Sequence, residues 1–199
     1  MEKIKAIIFD IGGVLTKYKD FHTYMARKFN LKRATWKKRI EPERNLLIRG
    51  KISQKIALKK TAKKLNIDEK RIEKILFEGY KAVHKKNPIM INLVKKLKKN
   101  YKIIILSNQT LISDRVIKRF NFYKIFNLVI LSYKVGTRKP DAKIYKITLK
   151  KLKLNPQECI FIDDVRRNIL PAKKLKIKTI LFKNIRQFKK DLKKFNIGI

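Results

Sequence analysis

The segment FDIGGVL, residues 9–15, places one acidic side chain where a catalytic group could stand. Asp10 directly follows an apolar run, and Gly12 and Gly13 come shortly after it. A carboxylate at the end of a buried strand can act as a nucleophile toward phosphorus or as a metal ligand. The same carboxylate can instead cap the turn that follows, so other parts of the sequence must distinguish these roles.

Two further segments offer hydrogen-bond donors and a cation. Ser107 and Asn108, in LSNQT, can donate hydrogen bonds to a phosphoryl group or, alternatively, cap the next helix. Lys139, in GTRKPDAKIY, stands between Gly136 and Pro140 just ahead of a helical pattern. A single lysine in so basic a chain is usually a surface residue, but this placement favours a fixed cation at a helix start beside the sheet.

Asp163 and Asp164 follow the apolar run CIFI and place two carboxylates side by side at a strand end. Burying two such groups is costly unless a cation neutralises them. Magnesium takes one or two carboxylates together with water and phosphate oxygens, and Asp10 with this pair could supply that set. The alternative is that the pair caps the helix predicted over VRRNIL.

The elements that would position these residues can be predicted from the apolar pattern. KAIIFDIGG predicts a short buried strand and a glycine-containing turn. After Pro88, helical and strand patterns alternate to the end of the chain, with strands at YKIIILS, NLVILS, CIFIDD and IKTILF. This order predicts an α/β fold with a doubly wound, parallel (Rossmann-like) sheet. The candidate residues follow three of its strands and should therefore converge at one edge.

Residues 17–84 have a different pattern. Their apolar residues recur at helical spacing, and Ser53 and Asp68 are natural N-caps. The sequence thus predicts a helical cap domain inserted into a core domain made of residues 1–16 and 85–199. Ligands bind at the carboxyl ends of strands in open parallel sheets, so the insert should cover the site.

Asp10, Ser107, Lys139 and the pair Asp163 and Asp164 resemble, in order and context, the four motifs of the haloacid dehalogenase superfamily. The matching segments are FDIGGVL, ILSNQT, GTRKPDAKIY and FIDDVRRNILPAKKL, which together span essentially the whole chain. The helical insert stands where that family carries its first cap. Any one motif is weak evidence, whereas four in register are strong evidence.

The resemblance implies a role for each candidate residue. Asp10 would attack a phosphate to form a phosphoaspartate, while Ser107 and Lys139 stabilise charge on the transferred group. Contacts with the substrate are expected from Ser107, Asn108 and Lys139. The implied magnesium ligands are Asp10, the backbone carbonyl of Gly12, Asp164 and, through water, Asp163.

Gly12 departs from the usual pattern of the family, which has a second aspartate there. That aspartate gives a proton to the leaving group and later takes one from water, a contribution worth ~10²–10⁴-fold. Glycine at this position resembles the sugar-phosphate phosphatases that act on hexose 1-phosphates and the phosphatase domains joined to epoxide hydrolases. His22 and His84 lie near the two cap junctions and could substitute as acids, although incidental histidines are more common.

Three functions remain open at this point. The sequence favours a magnesium-dependent phosphatase of small phosphorylated metabolites, with sugar phosphates as the expected substrates. A metal-independent 2-haloacid dehalogenase is the second, because that branch also lacks the second aspartate and would use Asp10 to displace halide. The clustered Asp163 and Asp164 speak against it, since they suit a magnesium site better. The third is a weakly catalytic protein that binds a polyanion.

The composition of the chain indicates which binding partners and which location to expect. The chain has 54 Lys and Arg against 15 Asp and Glu, a formal charge of +39, so non-specific binding of polyanions is expected. No zinc-finger spacing or RNP-like run supports sequence-specific binding, and the abundance of Lys, Ile and Asn favours codon drift as the origin of the charge. The first apolar stretch is too short to span a bilayer, which predicts a cytoplasmic protein. The single cysteine, Cys159, is expected to be buried.

Overall fold

The structure, a computed structural model, describes residues 2–198. Its strands are β1 (Ala6–Phe9), β2 (Thr16–Tyr18), β3 (His84–Lys86), β4 (Lys102–Ser107), β5 (Leu128–Leu131), β6 (Cys159–Asp163) and β7 (Lys178–Leu181). Its helices are α1 (Phe21–Lys28), α2 (Arg33–Ile48), α3 (Gln54–Leu65), α4 (Glu69–Val83), α5 (Pro88–Leu97), α6 (Leu111–Lys118), α7 (Ser132–Val135), α8 (Ala142–Leu152), α9 (Arg166–Lys174) and α10 (Ile185–Lys193).

Five strands form one parallel sheet in the order β5–β4–β1–β6–β7. Successive side chains of the central strand β1 enter different cores, because Ile7 and Phe9 pack into one apolar cluster and Ala6 and Ile8 into another. Helices therefore cover both faces of the sheet, which explains why its strands are continuous apolar runs and not alternating ones. The predicted doubly wound α/β fold is confirmed.

The helices α1–α4 pack around a third apolar cluster. Phe21 stacks on Tyr80 with their ring centroids 4.1 Å apart, and Trp36 is fully buried. Ile112 and Val116 of α6 belong to the same cluster, so the helical segment packs onto the sheet region along α6. This shared apolar contact fixes the helices over the carboxyl ends of the strands.

Two predicted helix starts are confirmed. The Ser53 hydroxyl accepts a hydrogen bond from the Ile56 amide at 3.3 Å, and the Asp68 carboxylate accepts one from the Arg71 amide at 2.7 Å. Both contacts satisfy amide groups that have no partner within the helix. The division of the chain into two domains, with the cap at residues 17–84, stays a prediction.

A two-stranded antiparallel sheet joins the two ends of the helical segment, and the sequence analysis missed it. β2 pairs with β3, with Thr16 opposite Lys86 and Tyr18 opposite His84. Each strand has only three residues and carries lysines, so neither shows the apolar pattern by which strands are recognised. The pairing brings His84 close to the turn after β1.

Within residues 2–198, every helix is too short or too polar to cross a bilayer. The cytoplasmic location expected from the sequence stays a prediction. Cys159 is fully buried in β6, as expected, and burial raises the pKa of its thiol to about 12. A thiol with so high a pKa is a poor nucleophile at neutral pH.

Candidate active site

The candidate residues meet at the carboxyl edge of the parallel sheet. Phe9 pairs in register with Ile162, so Asp10, the next residue after β1, lies level with Asp163 at the end of β6. The Asp10 amide donates to the Ile162 carbonyl at 2.9 Å and continues the pairing. Ser107 ends β4 on the other side of β1. The convergence predicted from three separate strands is therefore observed.

Three carboxylates gather around one buried ammonium group. Oxygens of Asp10, Asp163 and Asp164 lie within 4.8 Å of one another. The Nζ of Lys139 is 2.6 Å from Asp163 Oδ2 and 3.0 Å from Asp10 Oδ1, and the lysine is only 1% exposed. Asp163 is fully buried, whereas Asp164 lies on the exposed side of the group. We call these four residues the aspartate–lysine cluster.

The charges of the aspartate–lysine cluster are unbalanced. Burial raises the pKa of Asp10 to about 7 even though Lys139 opposes this change. Burial and then the charge of Asp163 raise the pKa of Asp164 to about 6. Burial alone would lower the pKa of Lys139, but Asp10 and Asp163 outweigh it and raise that pKa. Three carboxylates thus share one cation, and this set of oxygens fits a hard divalent ion such as magnesium.

Asp163 is held by several donors. The Asn168 side chain lies 3.1 Å from its Oδ1 and 3.0 Å from its Oδ2, and the Val165 amide donates to Oδ1 at 2.8 Å. With Lys139 on Oδ2, both oxygens already have two partners each. Asp163 therefore holds the start of α9 as well as the lysine, and Asp164 and Asp10 keep more open oxygens. No role for Asn168 was predicted from the sequence.

Asn108 positions Lys139. Its side-chain carbonyl accepts from the Lys139 amide, and its NH₂ group donates to the Lys139 carbonyl, both at 2.9 Å. The alternative that Ser107 and Asn108 cap α6 is not realised, because Thr110 caps that helix together with Ser113. The side chain of Asn108 is thus occupied by the lysine loop, and its predicted contact with substrate stays a prediction.

The two glycines after Asp10 differ in whether the fold requires glycine at their positions. Gly12 lies outside the left-handed region, and a β-carbon there would be 3.9 Å from both His84 Cε1 and Tyr18 Cγ, an ordinary contact distance. Gly13 has φ of +74°, and a β-carbon there would be 2.1 Å from Asp164 Oδ2. The backbone therefore demands glycine at position 13 and not at position 12.

A cavity of about 870 Å³ opens above the aspartate–lysine cluster, between the sheet edge and the helices α1, α2 and α4. Asp10, Gly12, Ser107, Lys139 and Asp164 form its floor. Its remaining walls include side chains from α1, α2 and α4 and from the loops before α8 and α9. Several arginines among them were missed by the sequence analysis. Basic residues are so common in this chain that none of these arginines was singled out by its position.

Both histidines line this cavity. His84 is buried, its Nδ1 lies 3.0 Å from Thr16 Oγ1, and its ring packs against Tyr18 at a centroid distance of 4.8 Å. Burial lowers the pKa of His84 to about 4, so the imidazole is neutral near pH 7. The Nε2 of His22 lies 3.2 Å from Glu41 Oε2. The space that a second aspartate would fill is thus bordered by a neutral imidazole.

Comparison with known proteins agrees with this geometry. A profile of the haloacid dehalogenase-like hydrolases matches residues 4–176, and the chain therefore belongs to that family. Bifunctional epoxide hydrolase 2 of Sus scrofa is 39% identical over 69 residues, which make up 35% of this chain and 12% of that protein. The similarity thus spans only about an eighth of the length of this curated relative.

Solved structures share the fold along most of the chain. A HAD family enzyme from Bacteroides thetaiotaomicron superposes with a TM-score of 0.79 at 21% identity, covering 92% of this chain and 95% of that one. The same enzyme was crystallised with magnesium and inorganic phosphate, with a TM-score of 0.76 at 22% identity over 90% and 94% of the two chains. The L-2-haloacid dehalogenase of Xanthobacter autotrophicus has a TM-score of 0.66 at 17% identity, covering 96% of this chain and 83% of that one.

Proposed function

We propose that the protein is a magnesium-dependent phosphatase of small phosphorylated metabolites such as sugar phosphates. The observation that carries this proposal is the aspartate–lysine cluster, in which three carboxylates and one ammonium group meet at the carboxyl edge of the sheet. A buried group of this composition needs more positive charge than the protein supplies. It is open to a cavity large enough for a small metabolite.

Asp10 is the proposed nucleophile. The Ile11 amide and the Lys139 ammonium both contact its Oδ1, at 2.7 and 3.0 Å, which leaves Oδ2 for attack on phosphorus. As the new oxygen–phosphorus bond forms, the bond to the leaving oxygen breaks and its electron pair departs with that oxygen. Water then attacks the phosphorus of the aspartyl phosphate, and the bond between phosphorus and the Asp10 oxygen breaks, which releases inorganic phosphate and restores the carboxylate. The proton that water gives up is balanced by the proton that the departed oxygen takes from solvent.

Ser107 and Lys139 would stabilise the transferred group. Asp163 contacts the Lys139 ammonium, and the side chain of Asn108 holds the backbone of the same lysine through two hydrogen bonds. Both ends of the lysine are therefore fixed. A cation fixed before the reaction begins needs little reorganisation when charge develops on the phosphoryl oxygens. The Ser107 hydroxyl accepts a hydrogen bond from the Gln109 side-chain amide at 3.1 Å, so its own hydrogen can be donated to the same oxygens.

The residues that would hold magnesium are Asp10, the Gly12 carbonyl, Asp164 and, through water, Asp163. When bound, the ion would neutralise negative charge on the carboxylates and on the phosphoryl group. The magnesium and phosphate complex of the Bacteroides thetaiotaomicron enzyme supports this assignment by analogy of fold. The partners of Asp163 support it as well, because they leave Asp164 with the more open carboxylate.

A dehalogenase is the alternative, since dehalogenases share this fold. It would need Asp10 as the nucleophile but not the pair of further carboxylates beside it. Hydrolysis of an aryl phosphate and of 2-chloropropionate, each with magnesium and with EDTA, separates the proposals. Magnesium-dependent release of phosphate alone is expected. Release of chloride that is insensitive to EDTA would replace the phosphatase by a dehalogenase, and no hydrolysis of either compound would favour a binding protein.

A further inference from the structure

The cavity walls above the aspartate–lysine cluster are rich in arginine. We define the arginine cluster as Arg44, Arg49, Arg138 and Arg167, all of which line the cavity that contains Asp10. The first two come from the second half of α2 and its C-terminus, the third from the loop before α8 and the fourth from the first turn of α9. Three separate parts of the chain thus bring guanidinium groups to one space.

Two members of the cluster contact side chains of the helices that cover the sheet edge. The Nε of Arg44 is 3.4 Å from the hydroxyl of Tyr80 on α4. Arg138 donates from Nη1 to Asn45 Oδ1 on α2 and from Nε to the Lys139 carbonyl at 3.2 Å. Arg138 therefore begins beside the catalytic lysine and extends to the cap helix. These guanidinium groups are placed for contact with the part of a substrate that lies away from the sheet edge.

Carboxylates neutralise only part of this charge. Glu41 lies 3.4 Å from Arg44, and Asp141 pairs with Arg49. In the described part of the chain, the other two members of the cluster have no carboxylate within ion-pairing distance. Among the described residues, two of the four guanidinium groups thus have a carboxylate partner and two have none. The pKa of Arg138 is lowered, first by burial and then by the charges of the other three arginines, although Glu41 opposes the change; a bound anion would relieve this repulsion.

We propose that the arginine cluster binds a second anionic group on the leaving-group portion of the substrate. The substrate would then be a phosphorylated metabolite that also carries a carboxylate or another phosphate, and this inference rests on the proposed phosphatase function. Guanidinium groups bind both kinds of oxyanion through paired N–H donors. The cavity extends from Asp10 to the cluster, so one small molecule can contact both.

Three substrates with a common three-carbon skeleton test this inference. Glycerol 3-phosphate has an uncharged end, 3-phosphoglycerate a carboxylate, and propane-1,3-diol bisphosphate a second phosphate. The quantity compared is the ratio of kcat/KM for each doubly anionic compound to kcat/KM for glycerol 3-phosphate, in 0.15 M salt. This selectivity ratio does not depend on the fraction of active enzyme. We expect it to exceed tenfold, and the larger of the two values identifies the preferred anion.

Matched variants separate the cluster from the general positive charge of the protein. Arg44→Gln and Arg138→Gln should each lower the selectivity ratio by about tenfold, the effect of losing a charge-assisted hydrogen bond. Arg186→Gln removes the same charge from the exposed surface of α10 and should keep the parent ratio. Arg138→Lys keeps the charge but loses the planar pair of donors, so it should lower the ratio partly.

Two outcomes would overturn the inference. The first is a selectivity ratio near one in the parent protein with measurable hydrolysis of glycerol 3-phosphate, which would leave the phosphatase function intact. The second is an equal fall of the ratio in Arg138→Gln and Arg186→Gln, which would assign the preference to overall charge. If none of the three compounds is hydrolysed, dissociation constants measured with the Asp10→Asn protein test the anion site instead. The quantity compared is then the dissociation constant of glycerol 3-phosphate divided by that of each doubly anionic compound. Dependence of that ratio on Arg138 would support the anion site and contradict the phosphatase.

Discussion

Gly13 and Asp164 approach each other so closely that a β-carbon on Gly13 would lie 2.1 Å from Asp164 Oδ2. Gly12, one position earlier, has no such neighbour, since its nearest contacts would be His84 and Tyr18 at 3.9 Å. Glycine is thus required at position 13 for two reasons. The backbone has a positive φ there, and a β-carbon would collide with Asp164, the proposed metal ligand. Gly12 leaves open the space that the second aspartate of the resembled motif would fill.

The two glycines should respond differently to alanine. Gly13→Ala should lower the free energy of unfolding by roughly 1–3 kcal/mol, because φ of +74° strains an alanine and its β-carbon displaces Asp164. Gly12→Ala should change it by less than about 0.5 kcal/mol. Urea unfolding of both variants measures the difference. Equal stabilities would show that the turn does not constrain position 13.

Gly12→Asp should restore an acid to the site. Without such a group, the leaving oxygen of the parent protein departs largely unprotonated, so kcat/KM should fall steeply as that oxygen becomes more basic. The variant should speed the poorest leaving groups most and flatten this dependence. The measurement is kcat/KM for a series of aryl and alkyl phosphates in both proteins. A flat dependence in the parent would mean that another group, such as His22, already donates the proton.

Asp164→Asn should separate metal binding from stability. In the absence of metal the variant should be as stable as the parent or more so, because one of three crowded carboxylates is gone. Magnesium should raise the melting temperature of the parent through preferential binding to the folded state, and this rise should be lost in the variant. Glu69→Gln, at an exposed acid of α4, serves as the control. A full magnesium shift in Asp164→Asn would remove Asp164 from the metal site.

Asn168 should affect magnesium activation through its hydrogen bonds to Asp163. Asn168→Ala removes the donor at 3.1 and 3.0 Å from the two Asp163 oxygens, and should weaken magnesium activation by about 10–100-fold. Asn87→Ala is a matched control, because Asn87 is also buried but caps α5. The measurement is activity against magnesium concentration for both variants. If both shift the dependence equally, Asn168 has only a structural role.

The strand ends of the site could be predicted because they follow from local pattern. Apolar runs mark β1, β4 and β6, and parallel strands bring their carboxyl ends to one edge, so the meeting of Asp10, Ser107 and Asp163 needed no tertiary information. The same reasoning gave the helical segment and its caps at Ser53 and Asp68. In each case, the residue type and its spacing were sufficient.

Other parts of the site depend on contacts between distant segments. The pairing of Tyr18 with His84 joins two three-residue strands that have no apolar pattern, and the bonds of Asn108 to the Lys139 backbone cross between two loops. The arginine cluster is hidden for a different reason. Among 54 basic residues, the sequence analysis singled out Lys139 and none of the arginines. Arg138, next to Lys139, and Arg167, in the segment FIDDVRRNILPAKKL, were the two members whose neighbours could have drawn attention to them.

Hydrolysis of p-nitrophenyl phosphate by the parent protein and by Asp10→Asn, each with magnesium and with EDTA, tests the phosphatase mechanism most directly. The variant keeps the shape of the side chain but loses the nucleophile and a metal ligand. We expect magnesium-dependent turnover in the parent and a loss of at least about 10³-fold in the variant, with an unchanged unfolding midpoint in the absence of metal. Activity of Asp10→Asn within tenfold of the parent, or parent activity that is insensitive to EDTA, would contradict the account.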